Sequence, residues 1–456
     1  MIGDSVTAAA TAWDGLLRPD VELSAEFCQA FTETLRQKRL TFGDRVHCPF
    51  LRPFFLTPGD EARVREVAET IVGLAERVAT RAAADPALLG EFALTPDEER
   101  LVRVEPRYAT VSTSSRLDAF LLTDSLWFAE YNAESPAGMG YTEALAEVFE
   151  SMDVMREFRR RFAVRAPQVV PRLLEALLAS YRQFGGTASA PLIAIVDWRE
   201  VPTWSEFEIL AERFERLGTP TIVCDPRELV FDGRVLSAGG RPIDLVYRRV
   251  LTSDIAERPE PCRALIRAYE SGAVCVANAL RCKICQKKAF FAVLTDDRHA
   301  SLFTDQERSL IRRHIPWTRL VADGPATRDG EAIDLADYVR RHRAELVLKP
   351  NDEYGGKGVT LGWELSQNDW ERKLEAILTD NQMSWIVQQR IPVRRETFPR
   401  FQIGAAAEFE DMLVDFAPYL FGGRLGGYLT RLSATGLANV TSGGGQVPVF
   451  VVEPRS

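Results

Sequence analysis

Residues 115–138, SRLDAFLLTDSLWFAEYNAESPAG, put Arg116, Asp118, Glu130 and Asn132 in two apolar-rich runs, 116–122 and 126–132, around Thr123-Asp124-Ser125. Such runs flanking a short polar break predict a β-hairpin with a three-residue loop. With the loop centred on Asp124, Leu122 pairs with Leu126, Phe120 with Phe128, Asp118 with Glu130 and Arg116 with Asn132. Side chains alternate along a strand, so this register puts all eight on one face. Opposed carboxylates with Cβ atoms about 5 Å apart repel unless a cation or a proton sits between them. Together with an amide oxygen they form a hard donor set suited to magnesium shared with phosphates. The same pattern also fits a partly exposed hairpin end whose Arg116 neutralises one carboxylate.

A second set lies in LVLKPNDEYGGKGV, residues 346–359. Lys349 closes the apolar run Leu346-Val347-Leu348, and Gly355, Gly356, Lys357 and Gly358 follow. Glycines let several backbone N–H groups converge on one anion, and a lysine at a strand end reaches the same phosphates as a point charge. The pattern is not the P-loop, whose lysine precedes Ser or Thr and a helix; a plain glycine turn with a solvated lysine is the alternative. WIVQQRI (385–391), with Gln388, Gln389 and Arg390, reads either as an ordinary core strand or as a hinge offering backbone groups to an adenine. In 426–445, GGYLTRLSATGLANVTSGGG, Arg431, Asn439 and glycines 443–445 combine a fixed cation, an amide and a permissive backbone, useful for binding a charged intermediate. A flexible surface loop would have the same composition.

These groups need elements to hold them. Val64, Val67, Ile71, Leu74 and Val78 recur at helical spacing and predict an amphipathic helix over 62–83, in an N-terminal region with no catalytic signature. PLIAIVDW (191–198), SEFEILAERFERLG and PTIVCDP predict a strand, helix, strand unit of parallel-sheet type, with IDLVYRRV (243–250) adding a strand. Glycine pairs and prolines after 320 predict short elements there. The 456 residues suffice for several domains, and 65 acidic against 56 basic residues make a nucleic-acid or anionic-membrane partner unexpected. The N-terminus carries no basic and apolar leader pattern, and the chain reads as cytoplasmic. Seven cysteines fit a reducing compartment, and Cys282 and Cys285 form a CxxC with no second pair to complete a zinc site. None of the four histidines sits in a hydrolase or zinc-protease motif, so chemistry falls to carboxylates, lysines and backbone amides.

The order of Lys-Pro strand, GGxGV loop, hinge strand and Arg with Asn and Gly-Gly resembles the ATP-grasp fold. There an Asp strand and an ExN strand come last in the chain; here Asp118 and Glu130-Tyr131-Asn132 come first. The chain is thus similar to the circularly permuted ATP-grasp group, and its RxD, twelve-residue step and EYNAxxP are similar to glutathionylspermidine synthase. The resemblance implies an α/β chain of α+β subdomains, a permuted ATP-grasp fold with an inserted Rossmann-like pre-ATP-grasp domain. The expected divisions are a mostly helical region at 1–105, a permuted segment with the metal-binding hairpin at 106–188, the inserted domain at 189–280 and the ATP-grasp domain with its glycine-rich lid at 281–456.

The resemblance further implies that Asp118, Glu130 and Asn132 ligate Mg2+, and that Lys349 binds ATP phosphates under a lid of Gly355, Gly356, Lys357 and Gly358. Lys288, or its neighbour Lys287, would be the family's other phosphate lysine. Gln388, Gln389 and Arg390 would border adenine and ribose, while Arg116, Arg431 and Asn439 would face the reacting phosphoryl group. ATP and Mg2+ are the implied cofactors, and a small carboxylate and an amine the implied substrates, joined through an acyl phosphate. The chain departs from glutathionylspermidine synthases in lacking the amidase domain that some carry and in having Ser384-Trp385 where their hinge is preceded by lysine. A phosphotransferase on the same fold and a non-catalytic ATP-binding regulator remain alternatives.

Overall fold

Ser114–Leu121 and Leu126–Asn132 pair antiparallel in the computed structural model of the chain, which describes residues 2–42, 45–380, 383–402, 404–434 and 444–455. Arg116 opposes Asn132 and Asp118 opposes Glu130, as the pattern predicts. Nearer the turn, Ala119 opposes Phe128, Phe120 opposes Trp127 and Leu121 opposes Leu126, so the expected Leu122–Leu126 and Phe120–Phe128 pairs do not form. The Leu122 N–H donates to the Ser125 carbonyl at 2.8 Å, which leaves Thr123-Asp124 as the tip. The spare residue, Ala129, is taken up as a β-bulge beside Glu130. Leu117, Ala119, Leu121, Leu126 and Phe128 are therefore among the buried residues, whereas Phe120 and Trp127 are only half-buried.

The hairpin forms one side of an antiparallel six-stranded sheet in the order Gly445–Val447, Arg424–Ser433, Glu408–Phe421, Ser114–Leu121, Leu126–Asn132, with Arg394–Arg400 also paired to Glu408–Phe421. The fourteen-residue strand Glu408–Phe421 exceeds the short elements expected after residue 320. It is buried continuously from Met412 to Phe421, and a strand covered on both faces loses the alternation that would reveal it. Facing the hairpin is a second antiparallel sheet, Thr318–Leu320, Trp385–Gln389, Leu346–Pro350 and Thr360–Leu361. Its core packs Leu346, Leu348 and Val387 against Val339, Trp370 and Leu374 of the helices Leu335–Arg341 and Gln367–Thr379.

The third sheet is parallel, in the order Cys275–Ala277, Leu245–Arg248, Ile193–Val196, Thr221–Cys224. The helix Trp204–Arg216 connects its first two strands in sequence, as the periodicity predicts. After the helices Ile2–Asp14 and Ala25–Gln37, the helix predicted over 62–83 runs from Pro58 to Ala84 and buries Val64, Val67, Ile71, Leu74 and Val78. Thr57 and Asp60 form its capping box, a motif that contributes about 1 kcal/mol. Its Arg63 donates to the carbonyls of Leu122 and Thr123 at 3.0 and 3.1 Å, which pins the hairpin tip. The strand Phe54–Leu56 pairs in parallel with Val449–Pro454 and so ties both ends of the chain into one sheet. Among the described residues no helix is long and apolar enough to cross a membrane.

Candidate functional site

The bulge determines how the hairpin meets the facing sheet. Expelling Ala129 frees its carbonyl from the ladder, and Lys349 Nζ donates to it at 3.1 Å. The same ammonium donates to Gln388 Oε1 at 2.6 Å, and Gln388 Nε2 donates to Thr318 Oγ1 at 3.1 Å. Lys349 is buried, and burial pushes its ammonium down to about 8; Lys288 acts in the same direction, while Glu130 and Asp118 oppose it. Lys288 reaches the other carboxylate, with Nζ 3.7 Å from Glu130 Oε2, and also donates to the Glu353 carbonyl. Lys287 points elsewhere, to Asp352 at 2.7 Å and Glu98 at 3.0 Å, so Lys288 is the lysine brought to the hairpin.

Asp118 is held from two sides. Arg116 Nε donates to its Oδ1 at 2.8 Å and Arg431 Nη2 to its Oδ2 at 2.7 Å. Burial would raise the Asp118 carboxyl, but the two guanidiniums hold it well below the usual carboxylate range. Arg431 also donates to Asp415 at 2.7 Å. Asp415 is fully enclosed, and burial together with the nearby Asp118 charge raises its carboxyl although Arg431 and Arg116 pull the other way. Glu130 stands half-buried across the ladder from Asp118, and the buried Asn132 Nδ2 has no hydrogen-bond partner. Arg116 thus neutralises one carboxylate, while the opposed pair still forms.

The glycine-rich segment adjoins these groups. Gly355, Gly356 and Gly358 all have positive φ, at 66, 76 and 75°. At Gly358 a Cβ would fall 2.6 Å from Pro350 Cγ, so close approach as well as conformation requires glycine. The Lys357 side chain is exposed and pairs with Glu353 at 2.8 Å, which is the solvated-lysine arrangement. Gln389 donates its N–H to the Trp317 carbonyl at 2.8 Å, and the exposed Arg390 lies 4.1 Å above the Trp363 ring. Asn439 and Gly443 fall outside the described residues.

Several residues at the site carried no sequence signal. Asn351, fully buried, accepts the Ala289 N–H and donates to Ser384 Oγ at 3.0 Å, joining the lysine-bearing elements. Asn278 donates to the carbonyls of Ser114, Ala133 and Glu134 and locks the parallel sheet to the open end of the hairpin. Glu134, two residues past Asn132 and so within reach of the motif, pairs with Arg248 at 2.9 Å. Lys283 holds Asp352 at 2.7 Å at the start of the glycine loop. Cys282 and Cys285 are both buried: Cys282 Sγ accepts from Arg248 at 3.2 Å, and Cys285 Sγ donates to the Ala75 carbonyl. No cluster of three or more His, Cys, Asp or Glu able to hold a metal occurs among the described residues.

Beside the hairpin's open end lies a cavity of about 330 Å³, lined by Arg116, Asn132 and Arg431, by Asp197 and Arg249 of the parallel-sheet unit, and by Gly355 of the loop. Carboxylate and amide oxygens of the hairpin, the ammonium groups of Lys288 and Lys349 and a cavity of small-molecule size thus lie in one neighbourhood.

Residues 121–440 match the family described as circularly permuted ATP-grasp type 2. The solved apo structure of a glutathione synthetase-like effector from Globodera pallida superposes with a TM-score of 0.60 at 12% identity, covering 95% of this chain and 98% of that one. A curated relative from Frankia alni, named "Putative glutamate--cysteine ligase 2-3", is 24% identical over 365 residues, 76% of this chain and 39% of its own length. An uncharacterized protein of Mycobacterium tuberculosis is 25% identical over 351 residues, 72% of this chain and 58% of that one. The chain therefore spans 39% and 58% of the length of these two relatives.

Proposed function

The chain belongs to the circularly permuted ATP-grasp type 2 family, and from that premise we propose that it is an ATP-dependent carboxylate–amine ligase, activating a small acid as its acyl phosphate and passing the acyl group to an amine. One observation carries this reading: the hairpin that bears Asp118, Glu130 and Asn132 meets Lys288, 3.7 Å from Glu130, and Lys349, bonded to the Ala129 carbonyl, beside the cavity that Asn132 lines. The donor set fits magnesium, because the Asn132 carboxamide, with its buried nitrogen unpartnered, is free to turn its oxygen toward a hard cation beside two carboxylates. Magnesium held by Asp118, Glu130 and Asn132 would offset charge on the phosphoryl oxygens during transfer.

Lys349 and Lys288 would bind the ATP phosphates, and the backbone of Gly355 to Gly358 would close over them. Gln388, Gln389 and Arg390 would border adenine and ribose. Arg116 and Arg431, both on the cavity wall, would face the acyl phosphate and the oxyanion formed when the amine attacks. The loop would exclude water, since hydrolysis of the acyl phosphate would waste the activation. Residues 189–280 would act as a domain presenting a substrate to this centre.

The test is turnover of Mg-ATP by the purified chain with small carboxylic acids crossed against amines, following ADP, AMP and phosphate together with amide product by mass spectrometry. Amine-dependent release of ADP and phosphate with an amide is the expected result. A stable phosphorylated product, or ATP binding without turnover across the panel, would remove the ligase reading, and amide formed with release of AMP and pyrophosphate would remove the acyl phosphate.

A further inference from the structure

Within the parallel sheet the chain leaves Ile193–Val196 for Thr221–Cys224 on one side and then crosses to Leu245–Arg248 on the other. The switch point therefore lies between the Ile193–Val196 and Leu245–Arg248 strands, and open α/β sheets take ligands in the crevice beyond the carboxyl ends at such a point. Asp197 directly follows one of these strands and Arg249 the other, and both line the cavity at the hairpin's open end.

Both are buried, at 8% and 3% exposure, and neither has an ionic partner within 4.0 Å among the described residues. Arg249 donates to Tyr247 Oη at 3.0 Å and to the Ser135 carbonyl at 3.2 Å, and its Nε has no partner. Asp197 Oδ1 accepts the N–H of Trp198 at 2.8 Å. Burial pushes the Asp197 carboxyl up to about 6, with Arg249 opposing this and Asp254 adding to it. The other cations on the wall are occupied: Arg116 and Arg431 by Asp118, Lys283 by Asp352. Asp197 and Arg249 thus lie in each other's field, with Glu206 also acting on Arg249, yet neither closes an ion pair within 4.0 Å among the described residues, which leaves polar capacity on the cavity wall for a ligand of complementary charge.

We propose that this cavity binds a zwitterionic amino acid as one of the ligase substrates, its carboxylate on Arg249 and its ammonium on Asp197, with Asp254, already paired with Arg258 at 3.2 Å, beside it. The assignment deepens the ligase reading and rests on it for the word substrate. A polyamine, the amine that similarity to glutathionylspermidine synthase implies, would satisfy Asp197 but meet the Arg249 charge. A simple carboxylic acid would satisfy Arg249 and leave Asp197 unpaired. A zwitterion answers both.

The experiment is titration calorimetry on the full chain without nucleotide, using the protein α-amino acids, their C-terminal amides and spermidine. At least one amino acid binds, its amide binds at least tenfold more weakly, and spermidine does not bind. Asp197→Asn and Arg249→Gln each weaken amino-acid binding at least tenfold, with part of the loss recovered in Asp197→Glu and Arg249→Lys. Binding by none of the amino acids, or equal binding of amide or spermidine, overturns the proposal, and these wild-type comparisons hold even if a variant misfolds. Amino-acid binding without amine-dependent ADP release would keep the pocket and remove the ligase; ADP release with polyamines alone would do the reverse.

Discussion

Lys349 carries the conflict between burial and charge at this site. Its ammonium, lowered to about 8 by burial, is partly neutral at a pH where an ordinary lysine is fully protonated. Between about pH 8 and the ordinary lysine value the unfolded chain binds the extra proton, so this group's contribution to stability rises with pH. Nucleotide binding should show the opposite slope, because phosphates need the charged form. We expect ATP affinity to fall as pH rises through about 8, with proton uptake on binding, and both effects to vanish in Lys349→Met; calorimetry in buffers of different ionisation enthalpy measures them. Asp118 raises a different issue. Removing its carboxylate in Asp118→Ala leaves Arg116 and Arg431 short of a buried partner, which costs about 3–5 kcal/mol and should lower the urea midpoint. Glu130→Gln removes a charge from the half-exposed side of the pair. Lys288 loses its paired charge, so the urea midpoint should fall, though less than in Asp118→Ala, while magnesium-dependent turnover is lost; retention of that turnover would count against the metal role.

At the level of elements, position in the sheet determined what the sequence could reveal. The helix over 58–84 and the parallel strands were legible because their periodicity is local. The outer half of the hairpin register was legible too, but its tip was not: choosing between a two-residue and a three-residue turn depends on whether a bulge at Ala129 can be accommodated, and that depends on the sheet across the cleft. The glycine loop allows a graded test. Gly355→Ala meets open space and should cost about 1 kcal/mol for its left-handed backbone alone. Gly358→Ala adds the contact with Pro350 and should be more destabilising in thermal unfolding, with a larger rise in KM for ATP.

Across the whole molecule, the N-terminal hundred residues are built into the same core as the site. Trp13 is fully buried, its Nε1 donating to the Leu51 carbonyl, and Phe54–Leu56 forms a sheet with Val449–Pro454. Glu98 lies 3.0 Å from Lys287 and 3.4 Å from Lys283, beside the residues that hold Asp352. Removing residues 1–56 should therefore expose the terminal strand and prevent folding, and the intact chain should unfold in a single calorimetric transition. A shortened chain that folds and binds Mg-ATP with wild-type affinity would disprove this dependence.

The sequence by itself determined the chemical kit and its order: Asp118, Glu130 and Asn132 on a hairpin, Lys349 at a strand end, a glycine loop after it, and a parallel-sheet unit between them. These follow from residue type, alternation and turn chemistry, all local along the chain. Only the tertiary structure decided which charges are closed into ion pairs and which are buried outside them. Asp415 beneath Arg431, Asn278 and Asn351 as buried joints, and Asp197 and Arg249 buried outside any ion pair are defined by neighbours distant in sequence, because burial and electrostatic pairing are properties of packed surfaces.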